Sequence, residues 1–447
     1  MYGPWTKLIS RSRRQLGKKE SIGVGLLGLG VVGGGVARAL TGRAEALDTQ
    51  VGCPLRLLKI AEKDLAKTRA SQINPDLFTT DPAEVIADPE IDIVIEVLGG
   101  EHPAMELIND ALGRGKYVVT SNKEVMAKHF PEFLSLAKDK GVDILYEASV
   151  GGGIPLIAPF KQNLLANEIR TIYAIINGTT NYILTMMASA GVDFSSALKQ
   201  AQDLGYAEAD PINDIEGIDA VYKLVILTTL AFRVEVHPDD IYREGISRLS
   251  SRDFRYAKEL GYEIKLLAIA KEQDGAIEAR VHPVFLPQDL LLAKVDGVNN
   301  AVQVEGDLVG RLLFYGQGAG PAPTSSAVIA DVIDVAQRIS HGVSITPMLR
   351  LDPTKKIKPI SEIETRYYLR MSTVDRHGVL AKISRVMGDN LISISSVIQK
   401  ESDISADVAE IVLMTYPAKE QAMQQAMREI EHLDVVREIS NFVRVED

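Results

Sequence analysis

Asp219 and Lys223 stand four residues apart, on one face of a helix whose pattern continues into the apolar run Leu224–Phe232. On a surface such a pair is an ordinary ion pair contributing roughly a few tenths of a kcal/mol. The following helix, however, is apolar nearly all round and so reads as buried on every side, and charges carried into such surroundings are costly unless they are paired or used. A carbonyl that accepts a hydride develops negative charge on oxygen and needs a proton donor within reach. A lysine whose pKa is lowered by partial burial supplies one. Two more carboxylates, Glu208 and Asp214, lie just upstream; with Asp219 they suit a substrate that carries an α-ammonium group.

A second chemical pattern lies near the N-terminus. The apolar run Ile22–Leu27 ends in Gly28-Leu29-Gly30-Val31-Val32-Gly33 and passes into the helix-compatible Gly34–Leu40. In such a turn the first glycine permits the bend, the second lets the backbone approach a pyrophosphate, and the third lets the helix pack on its strand. The helix N-terminus then faces the phosphates. Glycines also mark plain turns, but the strand–turn–helix setting favours a nucleotide. After the second strand, Ala61-Glu62-Lys63-Asp64 offers both signs. A carboxylate there holds a ribose 2′-hydroxyl and a cation such as Lys63 takes a 2′-phosphate, so NAD and NADP both remain open, as does a solvated loop.

The elements that must position these residues alternate. Strands are expected at Ile22–Leu27, Leu55–Ala61, Ile91–Val97, Tyr117–Thr120 and Val142–Tyr146, separated by stretches long enough for crossover helices. That is an α/β pattern: a Rossmann-type, doubly wound parallel sheet. Helical periodicity follows around Asn181–Ala190, Phe194–Leu204 and Gly217–Phe232, then strand-like pieces through Ala276–Phe285 and a helix over Ala327–Ile339. The domains expected are a dinucleotide-binding domain over 21–155, with 320–345 returning to it, and an α+β domain over 156–319. A linker over 346–365, Pro- and Lys-rich from Pro347 to Pro359, leads to a module over 366–447. Its pattern is strand Tyr367–Ser372, helix Val379–Met387, strands Ile392–Gln399 and Ala406–Thr415, helix Ala418–His432 and strand Val435–Val445, a ferredoxin-like βαββαβ unit.

Composition narrows the class further. A length of 447 residues calls for two or three domains, and a net charge of −11 argues against nucleic acid as the main partner. No apolar stretch is long enough to span a membrane. Residues 1–20 form a basic leader, with Lys7, Arg11, Arg13, Arg14, Lys18 and Lys19, that lacks an apolar core and reads as disordered. The single cysteine, Cys53, forms no internal disulfide and fits a reducing cytoplasm.

Six linked motifs carry a resemblance. They are Asp92–Gly100, Thr120-Ser121-Asn122-Lys123, Tyr146–Pro155 with its Gly151-Gly152-Gly153, Asn177–Leu184, Glu208–Lys223, and Gly316-Gln317-Gly318-Ala319-Gly320 with Pro323-Thr324. In that order they resemble the homoserine dehydrogenase family over most of residues 22–340. The resemblance implies interconversion of aspartate 4-semialdehyde and homoserine with NAD or NADP. It makes Lys223 the proton donor to the aldehyde oxygen with Asp219 beside it, gives the substrate amino group to Glu208 and Asp214, and sets Lys123 between cofactor and substrate. Ser121, Lys123 and Gly318 join Gly28, Leu29, Gly30, Val31, Val32, Gly33 and Lys63 on the cofactor side. It also implies a monovalent cation, usually sodium, on Glu147, Val150, Gly152 and Ile154; backbone carbonyls are hard donors suited to it. Taken as residues alone, that glycine-rich turn serves equally as a hinge.

Asp375-Arg376-His377-Gly378-Val379-Leu380 and Asn390-Leu391-Ile392-Ser393-Ile394 resemble the ACT domain, a module that binds amino acids at paired interfaces. The resemblance implies an effector, threonine, near Asp375, Gly378 and Asn390, and a homodimer or homotetramer; the lone His377 reads as structural or solvent-facing. Two other readings compete. A nucleotide- and amino-acid-sensing regulatory protein without chemistry has no use for Lys223 and three carboxylates at the mouth of a buried helix. A thioester-forming semialdehyde dehydrogenase needs a nucleophilic cysteine in its active site, and Cys53 precedes the second strand.

Overall fold

Ile22–Leu27 is buried along its whole length, as a parallel strand covered on both faces must be. In the computed structural model it is the central strand β1 of the first of two units. The structure describes residues 19–64, 66, 73–273, 275–342, 349–403 and 408–446. Most of the basic leader, the first two residues of the Pro-rich stretch, Pro347 and Met348, and the start of the strand expected from Ala406 lie outside the described residues.

The first unit gathers the described residues of Met1–Val125, His129–Ala148 and Thr324–Met348. Its sheet comprises β1, β2 (Leu55–Ala61), β3 (Phe78–Thr79), β4 (Ile91–Glu96), β5 (Tyr117–Thr120) and β6 (Ile144–Leu145), all parallel, in the order β3-β2-β1-β4-β5-β6. This is the doubly wound arrangement, whose crevice for ligands opens at the carboxyl ends of the strands where the order reverses. Helices α1 (Val31–Gly42), α2 (Ala44–Val51), α3 (Pro82–Ala87), α4 (Ala104–Gly113) and α5 (Lys123–Lys140) connect the strands. The helix Pro321–Ser340 brings its later part back: Ser325 Oγ donates to Val32 O at 3.1 Å, and Ser340 Oγ to Val51 O at 3.1 Å.

The second unit contains the described residues of Met126–Lys128, Ser149–Pro323 and Leu349–Asp447. Its sheet has twelve strands, β7 (Ile169–Ile175), β8 (Tyr242–Arg243), β9 (Tyr262–Gln273), β10 (Ala276–Pro287), β11 (Asn299–Gly306), β12 (Gly310–Gln317), β13 (Lys356–Ile357), β14 (Glu364–Thr373), β15 (Ile394–Asp403), β16 (Val408–Thr415), β17 (Ala418–Lys419) and β18 (Val436–Val445). The main path runs β12-β11-β7-β9-β10-β18-β14-β16-β15. Helices α6 (Gly178–Ala190), α7 (Ile212–Ile215), α8 (Ile218–Phe232) and α9 (Ser251–Glu259) belong to its earlier part, and α10 (Val379–Asp389) and α11 (Glu420–Glu431) to its later part. The sequence pattern shows β10 but not β7, β9, β11 or β12. In β9, Ile264–Ala270 is buried on both faces and so lacks alternation, whereas β12 turns Leu313 and Tyr315 outward, masking its own.

The C-terminal βαββαβ unit forms as expected, with α10 and α11 packed through Ile383, Met387, Met423 and Ile430 on Leu369, Met371, Ile411 and Leu413. Its sheet does not stand alone. β18 runs parallel to β10, pairing Val284 with Arg444 and Phe285 with Val445. The Pro-rich stretch before it is also held: β13 pairs with β10, and Asp352 N donates to Arg233 O at 2.7 Å. Its composition lacks an amphipathic face, but adding two residues to a sheet edge needs only backbone groups.

Candidate active site

α8 carries the helical pair. Gly217, left-handed at φ 78°, caps its start, which lets the chain turn sharply out of α7 and places Asp219 in the first turn, where the helix dipole favours a carboxylate. Asp219 is 4% exposed and Lys223 8%, which excludes the surface ion-pair reading. Lys223 Nζ donates to Asp219 Oδ2 at 2.6 Å and to the Ile176 carbonyl at 2.7 Å. A residue named within a sequence motif but given no role there joins them to Asp214: the buried Asn177 donates from Nδ2 to Asp214 Oδ1 at 2.7 Å and to Asp219 Oδ2 at 2.9 Å. Its own carbonyl oxygen Oδ1 caps α6 by accepting the Thr180 N–H at 2.8 Å. One side chain thus fixes two carboxylates and a helix start. The signal for it was the Asx residue before Gly178-Thr179-Thr180, an N-cap pattern.

Glu208 is not drawn into this cluster among the described contacts. Its side chain is exposed and its backbone carbonyl accepts Gln202 Nε2 at 3.1 Å. Beside it the Tyr206 ring lies tilted against Tyr182, with centroids 4.9 Å apart, and its carbonyl accepts Thr179 Oγ1 at 2.7 Å.

The glycine turn after β1 has the shape a dinucleotide needs. Gly28 is left-handed at φ 99°. A Cβ on Gly33 would stand 2.1 Å from the Gly28 carbonyl, while one on Gly30 would meet nothing within 4 Å. The last two facts make distinct demands: Gly33 for close packing of α1, Gly30 for open approach to the backbone. Gly30 caps α1 without a side-chain hydrogen bond, so Gly30 through Gly33 present main-chain groups at a helix start. Glu62, at the end of β2, points back into the turn, accepting Leu29 N–H at 2.8 Å, whereas Lys63 is exposed.

Ser121 and Lys123 follow β5, with Asn122 between them capping α5 through Val125 N–H at 3.1 Å and donating to Gly100 O at 2.6 Å. Glu96, likewise named only within a motif, ends β4 fully buried; burial raises its pKa, against the Thr120 hydroxyl and Leu98 N–H that it accepts at 2.6 and 2.7 Å. Gly318 lies in the second unit, where a Cβ would come 1.8 Å from Asn300 Nδ2.

With this geometry in place, family models match residues 28–147 as a homoserine dehydrogenase NAD-binding domain, 155–333 as homoserine dehydrogenase and 367–434 as an ACT domain. A homoserine dehydrogenase of Neisseria gonorrhoeae is 43% identical over 96% of this chain and 99% of its own. The chain belongs to the homoserine dehydrogenase family. A crystal structure of a homoserine dehydrogenase from Thiobacillus denitrificans superposes with a TM-score of 0.90 at 44% identity, covering 96% of this chain and 98% of that one. A hyperthermophilic archaeal homoserine dehydrogenase in complex with NADPH has a TM-score of 0.60 at 28% identity, covering 70% of this chain and 97% of that one.

The glycine-rich turn that follows Ser149 bends tightly, with Gly151 at φ 77° and Gly152 at φ 57°. Val150 and Ile154 are buried on either side, and Glu147, in the first unit, is 6% exposed with its N–H on Asp331 at 2.8 Å. In the ACT domain Asp375 and Gly378 are exposed at the start of α10, and Asn390 at its end donates to Glu429 at 3.1 Å. No helix among the described residues is long and apolar enough to cross a membrane.

Proposed function

We propose that this chain reduces aspartate 4-semialdehyde to homoserine, and runs the reverse oxidation, at the Lys223 cluster. The observation that carries this reading is a lysine ammonium fixed inside a buried network of Asp219, Asn177 and the Ile176 carbonyl. NAD(P)H, when bound, supplies the hydride. Lys223 Nζ supplies the proton that the aldehyde oxygen needs as it becomes a hydroxyl, and Asp219 keeps the ammonium oriented for that transfer. Asp214 and the exposed Glu208 take the substrate ammonium, Lys123 acts on both substrate and cofactor, and Ser121 and Gly318 are further cofactor residues. A monovalent cation would be held by the carbonyls of Val150, Gly152 and Ile154 and by Glu147; the two successive left-handed glycines, Gly151 and Gly152, give the tight turn that supports this reading. The lone Cys53 agrees with a cytoplasmic enzyme. Homoserine-dependent formation of reduced nicotinamide, measured separately with NAD and NADP, tests the reading; no turnover with either defeats it.

Lys63 is the cofactor-reading cation in this proposal, since the neighbouring Glu62 is turned toward Leu29. Exchanging Lys63 for Glu is expected to weaken NADPH binding about tenfold, the value of roughly one lost charge contact, and to leave NADH binding unchanged. Equal weakening of both by fluorescence titration removes Lys63 from the ribose site.

The ACT domain takes threonine near Asp375, Gly378 and Asn390, at an interface made with a second copy. The outer edge of β15 supports this, having no strand partner among the described residues. β12, the opposite edge, presents Leu313 and Tyr315 and offers a second surface for a dimer or tetramer. Threonine is expected to inhibit, and Asp375→Ala to raise the concentration required about tenfold with unchanged activity in its absence. Unaltered inhibition in that variant, or none in the parent, counts against the effector site.

A further inference from the structure

One side chain on the last strand of the ACT module reaches Glu244, in the stretch that clasps the catalytic segment. Arg444, on β18, is fully buried. Its guanidinium grips Glu420 at the start of α11 with two bonds, Nε to Oε2 at 2.9 Å and Nη2 to Oε1 at 2.6 Å, and spends its third arm elsewhere, Nη1 donating to Glu244 Oε1 at 2.9 Å. The Tyr242 hydroxyl donates to the same Glu244 oxygen, and the Arg444 guanidinium lies over the Tyr242 ring, 4.9 Å from its centroid. Glu244 is thereby fixed from the regulatory side, and its N–H is held by the Val281 carbonyl at 2.8 Å on β10.

The short stretch from Arg243 to Ser247 clasps Ile215 and Glu216. Ile246 N–H donates to Ile215 O at 2.9 Å, Arg243 Nη1 to Glu216 O at 3.0 Å, and Ser247 Oγ to Glu216 Oε1 at 3.0 Å. Gly245 is pressed so close that a Cβ there would stand 2.6 Å from both Ile215 O and Glu216 Oε2. Gly217, next in line, is the left-handed joint between α7 and α8, and its own Cβ position is 3.2 Å from Val281 Cγ1. The clasped residues lie between Asp214 and Asp219, the two carboxylates that meet on Asn177, and Asp219 in turn holds Lys223.

We propose that Arg444 and Glu244 are positioning residues for the reaction: through the 243–247 stretch they set the α7–α8 joint, and so the placement of Asp214, Asp219 and Lys223. The proposal rests on the catalytic reading of Lys223 given above. Misplacement of reacting groups by about 1 Å costs up to about a hundredfold in rate, so loosening the joint should show in turnover.

Glu244→Ala tests this without stranding a buried charge, because Arg444 keeps both bonds to Glu420. The variant is expected to lose about tenfold in kcat, to bind NAD(P)H as the parent does, and to melt within a few degrees of it; Glu244→Gln, which keeps an acceptor for Arg444 and Tyr242, recovers most of the loss. Hydrogen exchange provides a readout independent of substrate: amides of residues 214–221 exchange faster in Glu244→Ala. A parent that does not turn over homoserine defeats the catalytic reading, and exchange then still decides the coupling. Unchanged kcat, or unchanged exchange at 214–221, overturns the proposal, as does a kcat loss that Glu244→Gln does not relieve.

Discussion

Replacing Lys223 with alanine is expected to lower kcat by at least about a hundredfold, the lower range for loss of a positioned proton donor. Binding of NAD(P)H should change little, because Lys223 is not among the residues assigned to the cofactor. The substitution removes an ammonium that Asp219 and the Ile176 carbonyl hold at 2.6 and 2.7 Å, so some stability is lost as well. Activity is therefore to be measured at saturating cofactor on protein shown to be folded. A kcat within a few-fold of the parent assigns the proton to another group. A loss confined to KM makes Lys223 a binding residue.

The second large effect concerns stability. Glu446 is 4% exposed and accepts from Arg280, itself 2% exposed, from Lys271 at 2.6 Å and from the Tyr173 hydroxyl at 3.1 Å. Removing one member of such a buried set leaves the others undercompensated, so Glu446→Gln is expected to lose about 3 kcal/mol at neutral pH. Burial alone pushes the Glu446 pKa up, but Arg280 and Lys271 outweigh it and hold the carboxyl below its ordinary 4.5. A carboxyl depressed on folding stabilises the native state above the ordinary value and ceases to do so as pH falls through the folded one. The gap between parent and variant in denaturant titrations should thus be full at pH above about 5 and close in stronger acid. A gap that persists unchanged into acid means that packing, not charge, carried the loss.

Much of this was legible in the sequence where the signal was local. The glycine turn declared itself by spacing between a strand and a helix, and Asp219 with Lys223 by the i, i+4 interval before an apolar helix. What escaped was non-local. Asn177 lies 37 and 42 residues from the carboxylates it joins, and no periodicity links them. β9, buried on both faces, lacks the alternation by which a strand is recognised. Arg280 and Glu446 read as ordinary charges, because nothing in composition says that two strands 166 residues apart will bury them together. The same holds for Arg444: a basic residue in a terminal strand reads as a solvated face until its partners on β8 and α11 are seen.

The separation of β10 from β18 has a consequence for how the protein is made. Synthesis proceeds at about 5–20 residues per second, so the 166 residues between Arg280 and Glu446 take roughly ten to thirty seconds to follow. During that interval the nascent chain holds β10 with the β18 contact unfilled, Phe285 without the Tyr368 ring that later stacks on it at 4.4 Å, and Arg280 without its principal distant counter-ion. An uncovered strand edge next to exposed aromatic surface is a template for pairing with other chains. Slowing translation across the ACT module is therefore expected to lower the soluble fraction rather than raise it.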